Sequence, residues 1–290
     1  MLLTTSTNSK SIIDAGWFEF GQTTARAPII ALHGFPQAAD VWIPAAKLLA
    51  KRGHRVIIPR QRGYRGVFRP AGRSSYKMSC LSDDIVRLMD HMRIDRAHVA
   101  GYDLGGAVAW NLAARRPERV KSIISVGAPH PGAFLVDACT SLRGAVNAWY
   151  FVMAQLPFIP EILFGPSKPS GRRRFCRFLA RTGLSSETAT KYLDILSEDA
   201  LFTSAINWYR ALPLASVRQA MRKTTAPAMI IWGSKDYFTT RRSVDLSAKF
   251  TTLPLSVEMI PGASHWLLDD KPKEVASLIS SWIDGLRETT

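Results

Sequence analysis

With 290 residues, 47% of them hydrophobic and 21% charged, the chain has the size and composition to bury a large core, which excludes a collagenous, low-complexity or disordered protein. Its net charge of +15 raises the question of nucleic-acid binding, but no helix-turn-helix, finger or RNP-type motif accompanies the charge. Three widely spaced cysteines, Cys80, Cys139 and Cys176, fit neither a disulfide framework nor a zinc site and read as buried small apolar residues.

The opening residues, MLLTTSTNSK, lack the charged start and sustained apolar run of a secretory leader, and a cytoplasmic location is expected. Short apolar runs then alternate with helical periodicity. Strands are expected at 17–20, 29–32, 55–58, 97–101, 122–126, 228–232 and 255–260, and helices at 38–51, 81–92, 105–115, 241–250 and 272–286. Ser79 or Ser82 is the expected cap of the second helix, with acids in its first turn. This alternation predicts an α/β fold: a mostly parallel twisted sheet with flanking helices.

The strand rhythm stops between 132 and 221, a Pro-punctuated, aromatic-rich stretch with helical patterning. It reads as an inserted helical cap, leaving 1–131 and 222–290 as the core, and its place is over the strand ends where open α/β sheets bind ligands. Its apolar run AVNAWYFVMAQLPFIPEILFG, 145–165, is interrupted by Asn, Gln and two prolines, so no membrane span is expected. Arg172, Arg173, Arg174, Arg177 and Arg181 follow at helical spacing and read as a solvated basic face. No nucleic-acid partner, metal or cofactor is expected, and a homodimer is one open assembly.

The most informative stretch is HVAGYDLGGAVAW, 98–110, where an apolar run meets an Ala-rich helix at Asp103. Gly101 and Gly105 flank it in the small-x-nucleophile-x-small pattern, which permits a tight strand-to-helix turn and projects the central side chain outward. The amide of Leu104 then lies at a helix start, a favourable place for negative charge. Taken alone, the pattern equally describes a βα turn whose aspartate caps a helix. Three further groups add weight: HGFPQ at 33–37 ends the second strand, Asp236 follows a late strand in MIIWGSKDYF, and His265 follows the last one in GASHW. His54, His91 and His98 lie within or beside early elements, and Asp269 and Asp270 stand where capping the last helix is expected of them.

HGFP, QRGY, the Asp103 turn, NWYR and GASHW together resemble the α/β-hydrolase-fold enzymes of the epoxide hydrolase and haloalkane dehalogenase group, over nearly the full length. The resemblance implies that Asp103 is a nucleophile, His265 a water-activating base and Asp236 its orienting acid, in the chain order of that fold. It implies an oxyanion hole from the amides of Phe35 and Leu104, a cis bond at Phe35–Pro36 and a structural role for His33. Tyr209 in NWYR and Tyr150, spaced from Gln155 and Pro157, correspond to the paired tyrosines of epoxide hydrolases.

A carboxylate nucleophile selects alkylation chemistry. It is already ionised, displaces at a tetrahedral carbon and leaves an ester that water then cleaves. The expected reaction is therefore hydrolysis of an apolar epoxide to a vicinal diol, the tyrosines protonating the ring oxygen. A haloalkane dehalogenase-type reaction is the alternative, but both groups commonly place Trp after the nucleophile where this chain has Leu104, a change expected to reshape the pocket floor. Fluoroacetate-type enzymes carry Arg where this chain has Leu104 and Ala107, so a carboxylate pocket is not implied. A non-catalytic receptor on the same fold is a third reading. Pro36, Trp42, His130, Trp149, Trp208 and Trp266 are the expected pocket walls.

Overall fold

The structure is a computed structural model that describes residues 12–64, 66–198 and 200–288. The reading of residues 1–10 lies outside them. The described residues form a seven-stranded sheet in the order β1-β3-β2-β4-β5-β6-β7, with β1 (Trp17–Phe20), β2 (Ile29–Leu32), β3 (Val56–Pro59), β4 (Ala97–Tyr102), β5 (Val120–Val126), β6 (Ala228–Gly233) and β7 (Leu255–Ile260). Every neighbouring pair is parallel except β1 with β3. Helices cover both faces, so β2, β3, β4 and β6 are buried along their whole length and, apart from His98 in β4, read in sequence as apolar runs. The edge strands β1 and β7 are half-buried and carry Glu19 and Glu258.

The expected strands agree with these within one or two residues. Among the helices the differences have local causes. The expected helix at 38–51 is a 3₁₀ turn, Ala39–Trp42, running into Ile43–Lys51 with Pro44 in its first turn. The helix expected from 81 begins at Met78, and neither Ser79 nor Ser82 caps it: Ser82 is buried inside it and its hydroxyl donates to Asn111 Oδ1 at 3.0 Å. The three cysteines are free but not buried, since Cys139 is exposed and Cys80 and Cys176 are half-buried.

The chain runs outward from β2 to β3 and returns to β4, so the sheet order reverses between β2 and β4. Loops leaving the carboxyl ends of these two neighbours diverge, and the crevice between them is the ligand position that the topology creates. Over it lies a helical insertion between β5 and β6, comprising Pro131–Thr140, Leu142–Asn147, Trp149–Gln155, Ile159–Phe164, Pro169–Arg181, Ser186–Leu196, Leu201–Ala211 and Val217–Ala220. Phe175, Leu179, Leu193, Trp208 and Tyr209 of this insertion belong to the same buried cluster as Leu32 and Leu104 of the sheet layer. Among the described residues no helix is long and apolar enough to cross a membrane, and the 145–165 run is broken into separate short helices.

Arg210 ties the insertion together. Its guanidinium forms a two-pronged pair with Glu161, at 2.7 and 2.9 Å, and donates to the carbonyls of Ala154 and Leu156. Burial alone raises the Glu161 carboxyl, but Arg210 outweighs it and holds the group below its ordinary value. Arg210→Met should lower stability to denaturant by roughly 1–3 kcal/mol at neutral pH, less than for a fully buried pair because Glu161 keeps 24% exposure. The difference from wild type should shrink as pH falls and Glu161 protonates.

Candidate active site

Only one residue, Asp103, separates the end of β4 at Tyr102 from the helix Leu104–Arg115. Its backbone adopts φ 53° and ψ −121°, outside the regions that side chains favour, and its amide donates to Val126 O at 3.0 Å. The two flanking glycines make that reversal possible. A Cβ on Gly101 would stand 2.2 Å from Gly105 O, and one on Gly105 would stand 2.4 Å from Leu32 O. The turn thus lifts the Asp103 carboxylate off the sheet into the β2/β4 crevice.

The loop after β2 meets it there. The Phe35 amide donates to Asp103 Oδ1 at 3.1 Å, and the Phe35–Pro36 peptide is cis. QRGY explains why the loop holds its shape: Gln61 Nε2 donates to His33 O at 2.8 Å and the Tyr64 hydroxyl to Gly34 O at 3.0 Å. Trp208 of the insertion donates to Arg62 O at 3.0 Å, and Arg62 is paired with Asp84 through two bonds. His33 is fully buried and hydrogen-bonded to Gly34 O; burial lowers its pKa to about 4, which keeps it neutral.

His265 stands between two carboxylates. Its Nδ1 lies 2.8 Å from Asp236 Oδ2, and its Nε2 lies 3.5 Å from Asp103 Oδ2. Asp236 is fixed by the amides of Phe238 and Thr239, which both donate to its Oδ1. Tyr102 stacks on the imidazole and donates its hydroxyl to His265 O, while the Phe238 ring meets the imidazole edge-on at 4.9 Å. Burial of the imidazole opposes its charge, but Asp236 and then Asp103 outweigh that and raise its pKa to about 10. The histidine is therefore a cation at neutral pH.

Above the triad lies a cavity of about 60 Å³, narrow beside ordinary ligand pockets. Asp103 and His265 form its floor with Phe35 and Pro36, and Tyr150, Tyr209, Trp149 and Trp266 are among its walls. The two tyrosine rings meet edge-on with centroids 5.8 Å apart. Burial, then the Asp103 charge, pushes both phenols well above their ordinary pKa, so both are neutral donors. Gln155 steadies the pair by donating to Tyr209 O at 3.0 Å.

Three expected walls lie elsewhere. Trp42 is buried under the opposite face of the sheet, its indole donating to Leu32 O at 2.9 Å. Trp208 is buried behind the HGFP loop against His33 and Tyr64. His130 stacks on Phe250 and caps the helix Pro131–Thr140 by accepting the Gly132 amide; burial lowers its pKa to about 4. Leu104 is buried and is not among the residues that line the cavity. Nor do Asp269 and Asp270 act as expected: Asp269 accepts the Tyr192 hydroxyl and Asp270 the Ser264 hydroxyl. His54 and His98 are hydrogen-bonded to Ser280 and Ser122, and His91 packs against Trp17. Sequence reading missed the cavity walls Phe164, Phe175, Phe178, Phe202 and Phe238. For the four within 132–221 the aromatic richness of that stretch was the available signal, but it did not distinguish inner from outer faces, and Phe238 lies beyond it.

Residues 27–272 match the family described as the alpha/beta hydrolase fold. The chain belongs to that family. It is 32% identical over 256 residues to the AB hydrolase superfamily protein YfhM of Bacillus subtilis (strain 168), covering 88% of this chain and 89% of that protein. It is 29% identical to epoxide hydrolase 3 of Xenopus tropicalis, covering 88% and 71%. An epoxide hydrolase from Bacillus megaterium, solved with an inhibitor, superposes with a TM-score of 0.79 at 22% identity over 92% of this chain and 96% of that one. The superposition establishes the shared fold, and the sequence matches make the chain epoxide hydrolase-like.

The electrostatics of the triad are directly testable. Imidazole nitrogen NMR should find His265 still protonated at pH 8, in keeping with a pKa of about 10. Asp103→Asn should move its titration downward while leaving it bonded to Asp236. Because protonated His265 favours the folded state, its contribution is complete below the free imidazole value of about 6.5 and disappears as pH rises toward about 10. An imidazole already neutral at pH 7 in the wild type would contradict this arrangement.

Proposed function

We propose that the protein hydrolyses epoxides to vicinal diols through an ester on Asp103. The observation that carries this reading is the Asp103 carboxylate itself, with Oδ1 held by the Phe35 amide and Oδ2 facing both His265 and the apolar cavity lined by Tyr150 and Tyr209. Oδ2 attacks a ring carbon in line with the breaking C–O bond. The ring oxygen takes a proton from Tyr150 or Tyr209, whose raised pKa makes the phenolate a strong base that must be reprotonated.

The charge balance then changes at His265. Alkylation turns Asp103 into a neutral ester, removing one of the two carboxylates that held the imidazolium. The proton of His265 passes to the phenolate, leaving a neutral imidazole and a neutral phenol. Water attacks the Asp103 carbonyl carbon as His265 accepts its proton, and Oδ1 becomes the oxyanion facing the amides of Phe35 and Leu104. Collapse of the intermediate expels the diol oxygen, which takes the acid proton of Asp103. Aspartate, imidazolium and phenol are restored, and no cofactor enters the cycle.

The halide reading has less support, because the Trp266 indole N–H is engaged with Thr182 Oγ1 at 3.1 Å and position 104 offers only its backbone amide. The free thiols of Cys80, Cys139 and Cys176 fit a cytoplasmic place for the protein.

His265→Ala, exposed to a panel of aryl and alkyl epoxides, should accumulate an adduct with the full mass of the epoxide, mapped to Asp103 by peptide mass spectrometry. Diol formation by Asp103→Asn at the wild-type rate would overturn the proposal, and an adduct formed only from alkyl halides would move it to dehalogenation. Tyr150→Phe and Tyr209→Phe should each slow ester formation by roughly 10²-fold, in the range of a lost general acid, with little effect on hydrolysis of a preformed ester.

A further inference from the structure

The helices that wall the cavity carry a second apolar surface on their outer side. Between 142 and 163 the only charged residues are Arg143 and Glu161, and Glu161 is held by Arg210. Within this segment Leu142, Val146, Val152, Phe158 and Ile162 are each more than half exposed. Its inner side supplies Trp149, Tyr150, Met153 and Ala154 to the cavity. A two-sided apolar segment is not needed to build a pocket; one face suffices.

The turn between the helices Trp149–Gln155 and Ile159–Phe164 sharpens the point. Phe158 occupies the left-handed region at φ 63° with 74% of its surface exposed. A bulky residue is disfavoured there, and glycine or asparagine would serve a simple turn better. The conformation holds an aromatic ring out in solvent at the tip of an apolar hairpin.

Charge identifies what this surface meets. The next helix, Pro169–Arg181, packs on the hairpin through Phe164, whose ring lies 5.8 Å from Phe175 and 6.1 Å from Phe178. Its other side exposes Arg173, Arg174, Arg177 and Arg181, on a chain of net charge +15. Exposed aromatic and aliphatic side chains beside an arginine row match a lipid surface with anionic headgroups: the apolar tip enters the headgroup boundary and the arginines meet the phosphates. Nucleic acid would use the arginines but leave the apolar residues in water, and a second copy of the chain would bring its own arginine row near this one.

We propose that the outer face of the 142–181 segment docks on anionic bilayers, seating the Phe158 hairpin among the headgroups. Docking would place the wall of the apolar cavity next to the phase in which apolar molecules concentrate. The inference stands on the exposed surface and does not require the reaction proposed for Asp103.

The test is co-sedimentation of the full chain with phosphatidylcholine vesicles, with and without about one-third phosphatidylserine, with circular dichroism as the check on folding. The wild type should bind the anionic vesicles and bind the neutral ones weakly. Phe158→Ser with Ile162→Ser should weaken that binding at least tenfold. Arg173→Gln with Arg174→Gln and Arg177→Gln should weaken it by roughly 100-fold and remove its dependence on phosphatidylserine. Both sets lie at the surface and should leave turnover of a water-soluble substrate unchanged. Absence of vesicle binding, or binding that both sets leave intact, would overturn the proposal. So would a dimer in light scattering that Phe158→Ser with Ile162→Ser dissociates, or duplex DNA binding tighter than vesicle binding and insensitive to those two changes.

Discussion

The constraint on which the rest of the structure depends is steric: β4 must reverse into a helix through the single residue Asp103. Gly101, Gly105 and Leu32 O crowd the turn so closely that no Cβ fits at either glycine. Asp103 consequently holds a backbone conformation that an isolated chain would abandon, stabilised by its amide bond to Val126 O and by the helix that starts at Leu104. The same crowding reaches the next loop, because a Cβ on Gly34 would stand 2.5 Å from the Asp103 Cβ. Close approach of β2 and β4 thus sets both the exposure of the carboxylate and its distance from the Phe35 amide.

Electrostatics follow from that geometry. Asp236 and Asp103, close to His265 and largely removed from water, favour the charged imidazole. Asp236 accepts two amides and meets the imidazole at 2.8 Å, whereas Asp103 has one amide and the longer 3.5 Å contact, so in the proposed reaction Asp103 is the acid free to attack. Two chemically identical side chains are given different work by their hydrogen bonds. The neutral phenols opposite extend the same logic, since burial that disfavours a phenolate also keeps the proton on the donor until a stronger base forms beside it.

Much of this was legible in the sequence because its signals are local. The buried parallel strands are continuous apolar runs, and the sharp turn advertises itself through paired glycines. Asp236 and His265 stand directly after strands whose ends converge. What could not be read is how large aromatics distribute between cavity and core. Trp42, Trp149, Trp208 and Trp266 look alike in sequence, yet Trp149 and Trp266 reach the cavity while Trp42 and Trp208 anchor loops through indole hydrogen bonds. His130 sits near a strand end, as a pocket residue would, but is taken up by a helix cap and by Phe250. Leu104 was expected to act through its side chain, yet it is buried and does not line the cavity. Such outcomes depend on the rotation of a helix or the path of a loop, which residue type does not encode.

The helical insertion shows how one segment can answer two demands. Its inner face must be apolar and aromatic to exclude water from Asp103 and His265, and a hydrophobic stripe about a third of a helix wide is enough for that. The Trp149–Phe164 hairpin exceeds it, with apolar side chains on both sides, while the following helix exposes Arg173, Arg174, Arg177 and Arg181. A soluble helix pair gains nothing from exposed phenylalanine and isoleucine, which lower solubility and favour association. The excess is therefore informative where the inner face is not. Leu142, Phe158 and Val152, the most exposed large apolar side chains among the described residues, lie on the segment whose inner side lines the cavity, so one helical layer separates whatever covers the outer face from the wall above Asp103.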